Sequence, residues 1–325
     1  MTLRQPARSL VGLLLAAAAG CSPGAVATTD AGDAAASFWD AVGPADAQNA
    51  AESGVGATFA CGFPMPNAPG LGLPHSSAYD IARPGVVVDQ VTGLLWDRRP
   101  LPAGSQGDAA EACAGSAVAG SRDWRLPSVI ELISLVDLSR SDPSVDASVF
   151  AGTPNAPLWT STPVADREGT FWFVHFSNGG AGNAPGATPL AARCVRRPSS
   201  ESSCDSRFRI HETGAPGGTV QDVGAALTWE RAGVLHQTLA AAKQHCVALG
   251  GPWRLPTLKE LQSIVDYTRV RPSVDLTVFP ETPIDYFWTS SVPAGFPEDA
   301  WVVDFVHGFS YGLASDTIAN TRCVL

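Results

Sequence analysis

The second half of this 325-residue chain repeats the first. Trp124-Arg125-Leu126-Pro127 returns as Trp253-Arg254-Leu255-Pro256, and Trp159-Thr160-Ser161 as Trp288-Thr289-Ser290. Trp172 returns as Trp301, and Arg193-Cys194-Val195 as Arg322-Cys323-Val324. Each pair is 129 positions apart (253 − 124, 288 − 159, 301 − 172, 323 − 194), so no insertion separates the four blocks. Such self-similarity means two copies of one unit, and a function given to one copy must be weighed against the other. Each copy is of ordinary domain size, about 100–150 residues.

The start of the chain reads as an export signal rather than as fold. Arg4 and Arg8 precede an apolar run, Leu10 to Ala19, that is too short to span a bilayer as a helix. It ends in Ala18-Ala19-Gly20-Cys21, which resembles a bacterial lipoprotein cleavage box. That resemblance implies a lipid on Cys21, with Ser22 directing the protein to the outer membrane. Acyl chains anchor by burying CH₂ groups, about 0.8 kcal/mol each. The expected layout is a signal peptide over 1–20, a tether over 21–60, a first domain over 61–197, a linker over 198–206 and a second domain over 207–325. The tether is mostly Ala, Gly, Asp and Ser, too poor in apolar side chains to build a core.

Within each copy the elements fall in one order. Val86 to Asp89 and Leu94 to Trp96 flank Thr92-Gly93 as strand, turn and strand; Leu227 to Glu230 closes the same unit in the second copy. A helix follows, Thr238 to Leu249 in the second copy and around Ala109 to Ala114 in the first. Ser128 with Glu131, and Thr257 with Glu260, each form a capping box that starts another helix. Strand-like runs come next, Leu158 to Ser161, Phe171 to Phe176 and Ala192 to Val195, with partners at Phe287 to Ser290, Trp301 to Phe305 and Arg322 to Val324. The order β-β-α-α-β-β-loop-β predicts an α+β domain.

Export implies an oxidising compartment. Seven cysteines less Cys21 leave six, three per half. Cys113 and Cys246 lie on the first helix of each copy, and Cys194 and Cys323 on the last strand. Pairing them within a copy closes loops of 81 and 77 residues (194 − 113, 323 − 246), worth about 4–5 kcal/mol each if unstrained. Cys61 and Cys204 remain and are expected to pair with each other.

Thr-Gly-Leu-Leu-Trp, Trp-Arg-Leu-Pro, Trp-Thr-Ser and Arg-Cys-Val, in fixed order and twice over, resemble the Lcl C-terminal domain family across roughly residues 80–197 and 205–325. The resemblance implies two tandem C-type-lectin-like domains, similar to the formylglycine-generating-enzyme fold, each with two helices and a small, mostly antiparallel sheet. It also implies adhesion, including binding of sulfated glycans. The charge argues against polyanions: the net −10 becomes −12 once Arg4 and Arg8 leave (−10 − 2), and no run of consecutive basic residues exceeds a pair such as Arg196-Arg197. The same charge argues against nucleic acid.

No residue pattern points to chemistry. Gly308-Phe309-Ser310-Tyr311-Gly312 spells G-x-S-x-G, but no His follows Ser310 to complete a triad, and the matching position is Ala181. The six His show no zinc spacing, and His175 matches Asp304. Asp142, Asp146 and Asp275 read as turn-capping carboxylates. Eight of the nine Trp recur at matching positions, as core residues do. Arg125 and Arg254 are expected to pair with Glu131 and Glu260 or with backbone. A ligand site belongs in the loops that differ between copies. Asn178 and Asn183 in the first copy, and Phe296, His307, Phe309 and Tyr311 in the second, are its expected contacts. The function expected is non-catalytic recognition of a glycan or a surface protein, with no cofactor, no metal and membrane contact through the lipid only. The alternatives are an enzyme of the formylglycine-generating-enzyme-like fold and a purely structural envelope component.

Overall fold

A computed structural model describes residues 62–197 and 206–325. The expectations for Cys21, the tether, Cys61 and Cys204 lie outside the described residues. In the first copy the elements are β1 (Tyr79–Asp80), β2 (Val86–Asp89), β3 (Leu95–Asp97), β4 (Leu101–Gly104), α1 (Gln106–Ala114), α2 (Val129–Ser134), β5 (Pro157–Val164), β6 (Arg167–His175), β7 (Ala181–Pro185), β8 (Leu190–Ala192) and β9 (Val195–Arg196). The second copy has β10 (Phe208–His211), β11 (Thr219–Asp222), β12 (Leu227–Glu230), β13 (Val234–Gln237), α3 (Leu239–Ala248), α4 (Leu258–Ser263), β14 (Tyr286–Trp288), β15 (Asp299–Asp304), β16 (Ser310–Ala314) and β17 (Ala319–Thr321).

The α+β, C-type-lectin-like expectation is overturned. The described chain is mostly β, with four small sheets and helices of only six to ten residues. Each copy builds two sheets rather than one. One five-stranded sheet runs β4-β8-β5-β6-β7 and its counterpart β13-β17-β14-β15-β16; the smaller sheets run β1-β2-β3-β9 and β10-β11-β12. The added strands carry weak local signals. β4 contains Pro102, and β7 is Ala-Gly-Asn-Ala-Pro. Pairing with a neighbouring strand, not intrinsic preference, makes them extended.

The expected last strand is broken at its Arg-Cys pair. β8 pairs with β4 and β5, whereas β9 joins β3 in the other sheet. The chain therefore changes sheet at Arg193-Cys194, and the Cys113–Cys194 disulfide ties α1 to that seam. Cys246–Cys323 does the same for α3. Both bridges agree with the pairing expected from the sequence. Each sits in a core cluster, with Trp124, Leu126 and Trp159 in the first copy and Trp253, Leu255 and Trp288 in the second. All eight matched tryptophans are buried. The first copy holds four extra residues between the bridge cysteine and the next Trp (124 − 113 = 11, against 253 − 246 = 7). A short 3₁₀ turn, Val118–Gly120, takes up part of that length.

The two copies pack on one another. Ala181 N donates to Ser310 Oγ at 3.1 Å, and the two residues are 129 positions apart. A position thus touches its own counterpart, and Trp172 meets Phe309 as Trp301 meets Gly180, the reciprocal pairing made about a two-fold axis. Helices α2 and α4, also counterparts, pack together there.

Candidate functional site

The charged groups most suggestive of chemistry are spent on structure. Arg125 donates to both carboxylate oxygens of Glu131 at 2.7 and 2.6 Å, and Glu131 Oε2 accepts Ser128 N at 2.7 Å. Arg254, Glu260 and Thr257 repeat this geometry at 2.7, 2.8 and 2.7 Å. A bidentate pair that also closes a capping box holds its carboxylate in place, with no lone pair aimed at solvent. Asp146 and Asp275 cap turns by accepting from Ser148 and Thr277. Glu230, His245 and Cys323 approach as a metal set would. The Cys323 sulfur is bonded to Cys246, so only two donors remain, too few for a zinc site. Ser310 opens strand β16 with its hydroxyl holding Ala181 N, unlike a nucleophile at a strand-to-helix turn.

Arg193 and Arg322 were not singled out by sequence reasoning. Both are fully buried, and among the described residues neither is hydrogen-bonded to a carboxylate. Arg193 donates to Asp97 O, Arg98 O and Thr153 Oγ1 at 2.6, 2.7 and 2.7 Å and lies 5.1 Å from the Phe150 ring centre. Arg322 reaches Thr282 Oγ1 at 2.9 Å and covers Phe279. Burial pushes both guanidinium groups down to about 10. These arginines fasten the sheet-changing seam to the β3–β4 and β12–β13 connections.

The expected loop contacts divide into two groups. Asn178 is exposed and accepts Gly180 N at 3.0 Å, and Phe296 is half-exposed in its turn. Asn183 is buried on β7. His307, Phe309 and Tyr311 are brought together, the first two against the first copy. His307 Nε2 meets Asp166 Oδ2 at 3.1 Å, and Phe309 is buried with its ring 4.6 Å from that of Trp172. Tyr311 is half-buried and packs edge-on to Tyr286 at 5.7 Å; burial first, then Asp304, raises its phenol. Tyr286 is the outward member of this aromatic row. Arg196 pairs with Asp123 at 2.8 Å and Arg197 lies over Phe63, so this basic pair is engaged within the protein.

Concavity lies elsewhere. A groove of about 590 Å³ runs along the free side of β4, and Leu101, Pro102, Pro154, Pro157, Pro189 and Leu190 are among its lining residues. Its lining contains no charged side chain, on a chain of net charge −10. Pro102 of β4 removes a backbone donor from an edge strand and so discourages strand addition. In the second copy the matching edge shows Leu235, Ile284, Tyr286 and Ile318 to solvent. Sequence reasoning did not single out these prolines; their convergence depends on β4 pairing with β8, which no local pattern announces.

The model of the Lcl C-terminal domain family matches residues 85–196 and again 218–325. No curated protein matches the chain.

Proposed function

The chain belongs to the Lcl C-terminal domain family, carrying two tandem copies, and we propose that it is a non-catalytic recognition protein of the cell envelope, held there by lipid on Cys21. Its partner is a glycan or a surface protein. The uncharged groove beside β4 carries this reading, since contiguous apolar concavity on a polar exterior marks interaction sites. The half-exposed Tyr286, Phe296 and Asn178 provide a second set of contacts suited to stacking and hydrogen bonding. The bonded cysteines and the paired Arg–Glu sets support a binding role over a catalytic one. The lipid anchor and outer-membrane destination rest on the Ala-Ala-Gly-Cys box.

The test pairs a glycan array with a pull-down from envelope extract, using the wild-type protein and Pro102→Asp/Pro189→Asp. Both positions are exposed, so the change places charge in the groove without disturbing the core. Binding is expected to fall at least tenfold in the variant with an unchanged melting temperature. Equal binding by both proteins would remove the groove from the account, and silence of the wild type in both assays would favour a structural component.

A further inference from the structure

An interface about a two-fold axis ordinarily makes each contact twice. Among the described residues the polar contacts are made once, and always with a side chain of the second copy. Lys259 Nζ donates to Val136 O at 2.7 Å and Ser134 O at 3.3 Å, at the end of α2. Its counterpart, Ile130, has no donor. Ser310 accepts from Ala181 N, while its counterpart is Ala181 itself. His307 meets Asp166, while their respective counterparts are Asn178 and Gly295. The aromatic packing is one-sided too. Trp172 lies under Phe309 and Tyr267, at 4.6 and 5.0 Å between ring centres. Its counterpart Trp301 meets Gly180, the position that matches Phe309.

The asymmetry reaches a buried carboxylate. In the second copy, Asp222 is gripped by Arg207, whose Nη2 meets Oδ2 at 2.6 Å and also reaches Ser263 O at 2.9 Å. The first copy keeps the matching carboxylate, Asp89, and the matching carbonyl, Ser134 O. Strand register aligns Tyr79 with Asp89 as it aligns Phe208 with Asp222, so the place of Arg207 is taken by Ala78. Asp89 Oδ2 has no hydrogen-bond partner. Lys259 arrives from the second copy, takes Ser134 O, and is the cation acting on Asp89.

We propose that this surface fits only an unlike pair of copies, and that the first copy is the dependent half, completed by Lys259 of the second. Two second-type copies would bring two Phe309 rings together beside the axis and aim each Lys259 ammonium at a Ser263 carbonyl already held by the Arg207 guanidinium. Two first-type copies would leave the Ser134 and Val136 carbonyls of both without donors, and a buried carbonyl that loses its donor is destabilising. The discrimination is thus built from a repulsive element as well as an attractive one.

Hydrogen exchange read by mass spectrometry on the full chain tests this. In mild urea, the wild-type amides of 86–97 and 129–137 are expected to exchange before those of 219–230 and 258–265. Lys259→Ile should lower protection at least tenfold in the first set and leave the second within twofold. Adding Ile130→Lys should not restore it, because Ser263 O is already held by Arg207. Equal loss in both copies, no loss, or recovery in the swapped chain would overturn the proposal. Should Lys259→Ile fail to fold, the wild-type order decides, and first opening of the second copy counts against it.

Discussion

Lys259 is the residue whose environment departs furthest from what its sequence context implies. It lies on α4 between a capping Thr and its Glu, where a lysine ordinarily faces solvent, yet it is buried. Burial pushes its ammonium down to about 8, against the pull of Asp137, Asp89 and Glu260. Tyr79, Arg140 and Asp146 line the small cavity beside it. The folded pKa lies below the unfolded value, so between the two the unfolded chain binds the extra proton. Stability from this group therefore rises with pH from about 8 towards 10.5. Urea titrations should show wild type gaining on Lys259→Met across that window, by up to about 1.4 kcal/mol per pH unit; a constant difference would contradict it. Neutral or charged, the amine keeps donors for the two carbonyls. Nothing in the sequence near Lys259 signals this role, because both acceptors lie more than 120 positions away (259 − 134 = 125, 259 − 136 = 123). The Arg125–Glu131 pair was legible, since the two residues are six apart and the capping box fixes where the Glu points.

Among elements, those specified locally were legible and those specified by pairing were not. The capping boxes at Ser128 and Thr257 form as read, and α3 ends within one residue of expectation at each side. Thr257→Ala should cost about 1 kcal/mol, measured by denaturant midpoint. The turn between β15 and β16 needs Gly308, at φ 102°, where a Cβ would stand 2.5 Å from Val265 Cγ1. Its counterpart Gly179, at φ 88°, faces Val136 in the same way. Gly308→Ala should therefore destabilise by more than about 1 kcal/mol, and an unchanged midpoint would show the turn to be tolerant. Strands β4, β7 and β16 escaped sequence reading because their Pro, Gly and Asn content argues for loops. The seam at Arg193-Cys194 escaped because changing sheets is a property of two neighbours, not of the strand itself. The cysteine partners were legible because the helix was placed correctly, although the strand expected at Cys194 is broken there.

For the whole molecule, the duplication was plain in the sequence, but the way the copies meet was not. The tryptophans were read correctly as interior, yet Trp172 and Trp301 serve the interface rather than each copy's own core. His307 and Phe309 diverge between the copies, which pointed to a ligand; they face the other copy instead. Net charge −10 and an engaged Arg196-Arg197 pair leave little to attract a polyanion. The protein should pass a heparin column at low salt, and salt-dependent retention would count against this view. The central claim is that two unlike copies close on each other about an axis running beside Ala181 and Ser310. Ala181→Cys/Ser310→Cys tests it most directly, by non-reducing peptide mapping of the monomeric chain. A bridge between peptides containing residues 181 and 310 of one molecule is the result expected; free thiols at both positions, or bridges only between separate chains, would contradict the account.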